Sequence, residues 1–119
     1  MSNAAIELRK GALDVMILKA LSWGPAHGYG ISRWIRETTD GALNVEEGAL
    51  YPALHRMELK GWVDPTWGLS DNARRAKYYR MTAEGRRRLR GEASSWTQFA
   101  VAMAKVLNGT NPPEWARQT

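Results

Sequence analysis

The chain contains no cysteine, which excludes disulfides, thiol catalysis and cysteine-ligated metals and fits a reducing cytoplasm. It has only two histidines, His27 and His55, too few for a metal site without clustered carboxylates. No apolar run approaches the roughly 20 residues that span a bilayer. No charged-then-apolar leader opens the sequence, so the expectation is a cytoplasmic protein with no membrane partner. No nucleophile–base pair, phosphate-binding glycine loop or paired-carboxylate motif stands out, so neither catalytic residues nor cofactors are expected. Repeats, low-complexity tracts and dividing linkers are missing as well. At 119 residues the chain is long enough for one domain with a buried core.

Acidic residues are scarce in one segment. Residues 60–90 hold nine lysines and arginines against three acids, a local charge of +6. The whole chain is +5, so the remainder is −1. Positive charge concentrated in this way suits a polyanion, because each neutralised phosphate releases counterions. A merely solvated basic surface is the plainer alternative.

Hydrophobic periodicity divides the chain into six elements. Leu13, Met16, Ile17, Ala20 and Leu21 predict a helix over 10–22, stopped by Gly24 and Pro25. A second helix starts near His27, with Ile31, Trp34, Ile35 and Thr38 on one face; Asp40 and Gly41 form a turn. Asn44 and Glu47 resemble a capping box, which would start a third helix with Leu50, Ala53, Leu54 and Met57 inward and an end at Lys60 and Gly61. Aromatic-rich segments 62–67 and 76–81 read as strands, with Pro65 forcing an edge position. Of Tyr78 and Tyr79, one should be core and the other partly exposed. Thr82 caps a last helix, with Glu84 near its positive end, running to about Asn108. His27 is expected to cap or pack.

The third helix is an odd choice if stability were its only task. Gly48, Pro52 and His55 lie opposite the buried stripe, flanked by Tyr51 and Arg56. An interior proline costs about 3 kcal/mol, and a glycine about 1 kcal/mol. Small residues do let a helix sit deep in a DNA groove, with Tyr51, His55 and Arg56 reaching bases or phosphates. A kinked helix with no partner is the competing reading. In the hairpin, Arg74, Arg75 and Lys77 suit phosphates and narrow minor grooves; a solubilising loop is their bland alternative. Tyr29 could touch a phosphate or pack in the core, and Lys10 could reach the backbone. Arg86, Arg87, Arg88 and Arg90 straddle more than one face.

Leu89, Trp96 and Met103 recur every seven residues, and Ala93, Phe99, Ala100, Val106 and Leu107 complete an apolar stripe. A helix over 82–108 would be about 40 Å long, more than the preceding body covers. A second copy is the natural cover, as in a coiled coil. Two copies of Trp96 near a dimer axis, lined by Phe99 and Met103, could sandwich a planar hydrophobic ligand. Plain interface packing is the alternative for Trp96. The expected organisation is a DNA-binding unit over 1–81, a dimerisation helix over 82–108 and a flexible tail over 109–119.

Four segments, KGALDVMILKAL, GPAHGYGI, EEGALYPALHRMELKGWV and RRAKYYRMTAEGRRRL, together resemble the PadR family of bacterial transcriptional regulators. The resemblance spans residues 10 to about 107. It implies a mostly α winged helix-turn-helix with a small β-hairpin and a long C-terminal dimerisation helix. It also implies a homodimer, usually a repressor, on a roughly palindromic operator of double-stranded DNA. The single long helix resembles short-form members, in which a tryptophan at the position of Trp96 is associated with a ligand pore. Small-molecule effectors are common in the family. Ala49 stands where threonine is common, and Ala73 and Ala76 where glycine and a further basic residue are common. The residues expected at DNA are therefore Lys10, Tyr29, Gly48, Ala49, Tyr51, Pro52, His55, Arg56, Arg74, Arg75 and Lys77. A dimeric winged-helix module that binds protein instead of specific DNA is the second reading.

Overall fold

The computed structural model describes residues 11–69 and 74–117. Lys10 and Ala73, named above, lie outside the described residues. Three helices come first: α1 (Ala12–Leu21), α2 (Gly28–Thr38) and α3 (Glu47–Leu59). Their contact faces supply most of the core: Ile17, Leu18 and Leu21 from α1, Ile31 and Ile35 from α2, Leu50, Leu54 and Met57 from α3. Each set recurs at three or four residues, the spacing that places side chains on one helix face. His27 is the cap of α2: its Nδ1 accepts the Gly30 N–H at 3.0 Å.

The capping box expected at Asn44 does not form. Val45 is buried in the core, and its carbonyl accepts the Ser32 hydroxyl at 3.0 Å. Burial of Val45 thus holds this stretch outside the helix, and α3 starts only at Glu47. Glu46 takes the cap position without a side-chain bond; its carbonyl receives the amides of Ala49 and Leu50. The C-terminus of α3 ends as expected. Gly61 adopts φ 77°, its N–H bonds to the Glu58 carbonyl, and the Trp62 N–H bonds to that of Met57, the paired closure that a left-handed glycine permits.

The sheet has three antiparallel strands in the order β1 (Ala26–His27), β3 (Arg75–Met81), β2 (Val63–Leu69). Two-residue β1 was not legible in the sequence, because it is too short to carry a period; it exists because β3 offers it an edge at Tyr78 and Tyr79. Pro65 lies in β2, an edge strand as expected, opposite Tyr79. Tyr79 is buried, whereas Tyr78 is half-buried on the other face beside the His27 ring.

Thr82 caps α4 (Ala83–Leu107) by accepting the Gly85 N–H at 3.0 Å, and it donates to the Gly61 carbonyl at 2.7 Å. One hydroxyl therefore ties the end of α3 to the start of α4. The first turns of α4 pack on α1 and β3, with Gly85 buried and Leu89 half-buried. The rest of this 25-residue helix projects from the body, and the molecule extends 67 Å along its longest axis. Within the segment read as a tail, α5 (Glu114–Arg117) forms a single exposed helical turn. Three helices, a hairpin and a long C-terminal helix make up a winged helix of the expected class.

Candidate nucleic-acid interface

The outer face of α3 matches the sequence reading. Gly48, Ala49, Tyr51, Pro52, His55 and Arg56 are all exposed. A side chain added at Gly48 would meet nothing within 4 Å, so open space in front of this face, not internal packing, is what its smallness preserves. Pro52 sits in the second turn and removes only one ladder bond, the one to the Gly48 carbonyl, on the solvent side.

Tyr51 is more constrained than its exposure suggests. Its ring and hydroxyl lie against Gly28, 2.7–2.8 Å from where a Cβ on that glycine would stand. The first residue of α2 must therefore lack a side chain for Tyr51 to lean across the start of that helix. Burial raises the Tyr51 pKa, and the negative charge of Glu47 and the nearby Tyr79 add to the rise. The phenol stays neutral and keeps its O–H as a donor. Tyr29 is exposed, which overturns core packing as its explanation; its ring lies 6.3 Å from that of His27, beside the same helix start.

Two of the expected cations are engaged within the fold. Arg56 Nη2 donates to Asp14 of α1. Lys77 Nζ lies 3.3 Å from Glu58 Oε1, linking β3 to α3. Hydrogen bonding to Glu58 raises the Lys77 pKa, against a smaller opposing effect of burial. Neither partnership had a sequence signal, since Asp14 is 42 residues from Arg56 and the pairs form only on packing. Arg74 and Arg75 are exposed at the start of β3. Trp67, overlooked in the sequence, lies across the hairpin with its ring centroid 4.6 Å from the Arg75 guanidinium carbon. Strand alternation alone could not have found it, because the register that pairs Trp67 with Lys77 is what puts Trp67 and Arg75 on one face.

Of the arginine cluster, Arg87 pairs with Glu84, and Arg88 with Glu92 at 3.2 Å while lying over the Trp62 ring. Arg86 and Arg90 are exposed. On the projecting part of α4, Ala93 and Trp96 are half-buried, and Phe99, Ala100, Met103, Val106 and Leu107 are exposed. Trp96 and Phe99 meet edge to face at 6.3 Å between centroids. Among the described residues no helix is long and apolar enough to cross a membrane.

Comparison with known proteins follows the same outline. The family described as "Transcriptional regulator PadR-like family" matches residues 17–91, from α1 through the hairpin into α4. A curated protein of Lysinibacillus sphaericus, protein X, is 31% identical over 104 residues, covering 87% of this chain and 94% of the relative. A transcriptional regulator from Clostridium thermocellum superimposes with a TM-score of 0.72 at 32% identity, covering 81% of this chain and 93% of that one. A PadR family transcription regulator from a hypervirulent Clostridium difficile gives 0.71 at 30% identity, covering 82% of this chain and all of the other.

Proposed function

This chain belongs to the PadR-like family of transcriptional regulators, which are DNA-binding proteins and not enzymes, and we propose that it is a repressor acting as a homodimer on a palindromic operator. The observation that carries this reading is the pairing of an α3 face kept small at Gly48 with exposed Arg74 and Arg75 on the adjoining hairpin. The face enters the major groove and the hairpin meets the flanking backbone. Gly48, Ala49 and Pro52 allow close approach; His55 and Tyr51 face the bases or their phosphates. Tyr29 stands at the start of α2 for a backbone contact. Arg56 and Lys77 contribute through Asp14 and Glu58, by holding α3 to α1 and to the wing.

Dimerisation through α4 covers the stripe from Ala93 to Leu107 that the body leaves open; Leu89, expected in the same stripe, packs instead on the core of its own chain. It sets the two α3 helices about 34 Å apart, one turn of DNA. Light scattering that shows a monomer at micromolar concentration would overturn the dimer. A planar hydrophobic effector between two copies of Trp96, bounded by Phe99 and Met103, would shift α4 pairing and so release DNA from a cytoplasmic repressor. That ligand should quench tryptophan fluorescence, and Trp96→Ala should abolish both quenching and release.

The test of the main reading is binding to the gene's own upstream region across a salt series. Affinity should fall steeply with salt, and an excess of random duplex should compete poorly. Equal affinity for random DNA would refute sequence-specific regulation and favour the protein-binding alternative.

A further inference from the structure

One exposed aromatic has no role in the core. Alternation along the hairpin places Val63, Trp67 and Leu69 of β2 on the same face as Met81, Tyr79, Lys77 and Arg75 of β3. At its base this face is core, with Val63, Tyr79 and Met81 buried. Farther out it emerges as Trp67, 57% exposed, and Leu69, 70% exposed and directly opposite Arg75. Lys77 turns toward Glu58, so the outer half of this face looks past the end of α3.

We propose that Trp67 is the positioning residue of the wing: its indole fixes the Arg75 guanidinium for entry into a narrow minor groove, with Leu69 against the deoxyribose wall. The proposal rests on the DNA-binding reading and deepens it. Stacking leaves the guanidinium donors pointing edge-on in a limited set of directions. An arginine serving only a phosphate gains little from that restriction, because phosphate oxygens can be reached from many rotamers. A slot about 6 Å wide rewards it, since few side-chain directions enter. An apolar side chain as exposed as Leu69 returns nothing to the free chain, whereas the sugars that line the groove present an apolar edge to it. The opposite face stiffens the strand ends: the Tyr78 hydroxyl donates to the Leu69 carbonyl at 2.9 Å. Its ring lies 3.3 Å from where a Gly68 Cβ would stand.

The experiment uses the full chain and a duplex enriched by the wild type from a random pool. Flanking A·T pairs are then replaced by G·C or by I·C, which keeps the minor-groove face of A·T while changing the major groove. The wild type should lose about tenfold on G·C flanks and little on I·C flanks. Trp67→Ala should bind the selected duplex about two- to fivefold more weakly, the worth of one exposed cation–π contact, and lose most of its discrimination against G·C. Trp67→Phe should restore discrimination, and Trp67→Ala combined with Arg75→Ala should match Arg75→Ala alone. Unchanged discrimination in Trp67→Ala, or additive losses in the double variant, would overturn the positioning role while leaving the regulator reading intact. A wild type that enriches no sequence would overturn both.

Discussion

Gly85→Ala should weaken the joint on which α4 is aimed. A Cβ at this position would lie 2.2 Å from the Trp62 carbonyl oxygen and 3.1 Å from Met81 Cγ, more than an ångström inside ordinary contact with the former. Trp62 cannot swing away, because the atom in the path is backbone and accepts the Thr82 N–H at 3.0 Å. Relief requires the first turn of α4 to lift, with overpacking strain of about 1–3 kcal/mol. Loosening the Thr82 cap costs about 1 kcal/mol more, and the better helix propensity of alanine returns about 1 kcal/mol. The net loss is about 1–3 kcal/mol, or a fall in Tm of roughly 4–12 °C for a chain of this size. Gly91→Ala in the same helix is the control: its Cβ meets nothing within 4 Å, so it should be neutral or stabilise by up to about 1 kcal/mol. Both are read by circular dichroism melts at one fixed protein concentration, since the proposed dimerisation would make Tm concentration-dependent. If Gly85→Ala melts with the wild type, the close approach of α4 to Trp62 is not a constraint on the fold.

Gly28→Ala meets a side chain instead of backbone, so Tyr51 can move aside. Stability should change by less than about 1 kcal/mol while affinity for the selected duplex drops severalfold; unchanged affinity would remove Tyr51 from the interface. Asp14→Ala deprives Arg56 of its partner on α1 and should cost about 1 kcal/mol in urea unfolding; no loss would show that the pair does not brace α3. Raised pKa values for Tyr51 and Lys77 place their effects at alkaline pH. For each, the folded state favours the protonated form, so the contribution is full below the unfolded values of 10.0 and 10.5 and is lost as pH rises through the folded ones. Tyr51→Phe and Glu58→Gln should each flatten the decline in stability above about pH 10; a decline unchanged in both would assign it elsewhere.

Much of the winged helix was legible because its signals are local. The spacing of Ile17, Ala20 and Leu21, the helix stop at Gly61, the Thr82 cap and Pro65 on an edge strand each depend on neighbours within a few residues. Asn44 and Glu47 formed an equally local pattern, and it failed. Burying Val45 and joining its carbonyl to Ser32 outweighed one cap bond, a comparison that needs the position of α2. The candidate site divides in the same way. The open face of Gly48, Pro52 and His55 followed from the helical period. Tyr29 could not be assigned between core and surface from its spacing, and the structure exposes it.

By itself, then, the sequence determined the order of the four longer helices and the hairpin, the inward faces of the helices, the basic charge of the hairpin and the apolar stripe along α4. These follow from periods of two and 3.6 residues and from backbone chemistry, which act between near neighbours. Only the tertiary structure decided that Gly28 is the seat of Tyr51, that Arg56 and Lys77 are drawn to Asp14 and Glu58, and that Trp67 carries Arg75. Each of these joins side chains from different elements, or from two strands whose register sets the pairing. Their distances are fixed by how the core packs and not by their separation along the chain.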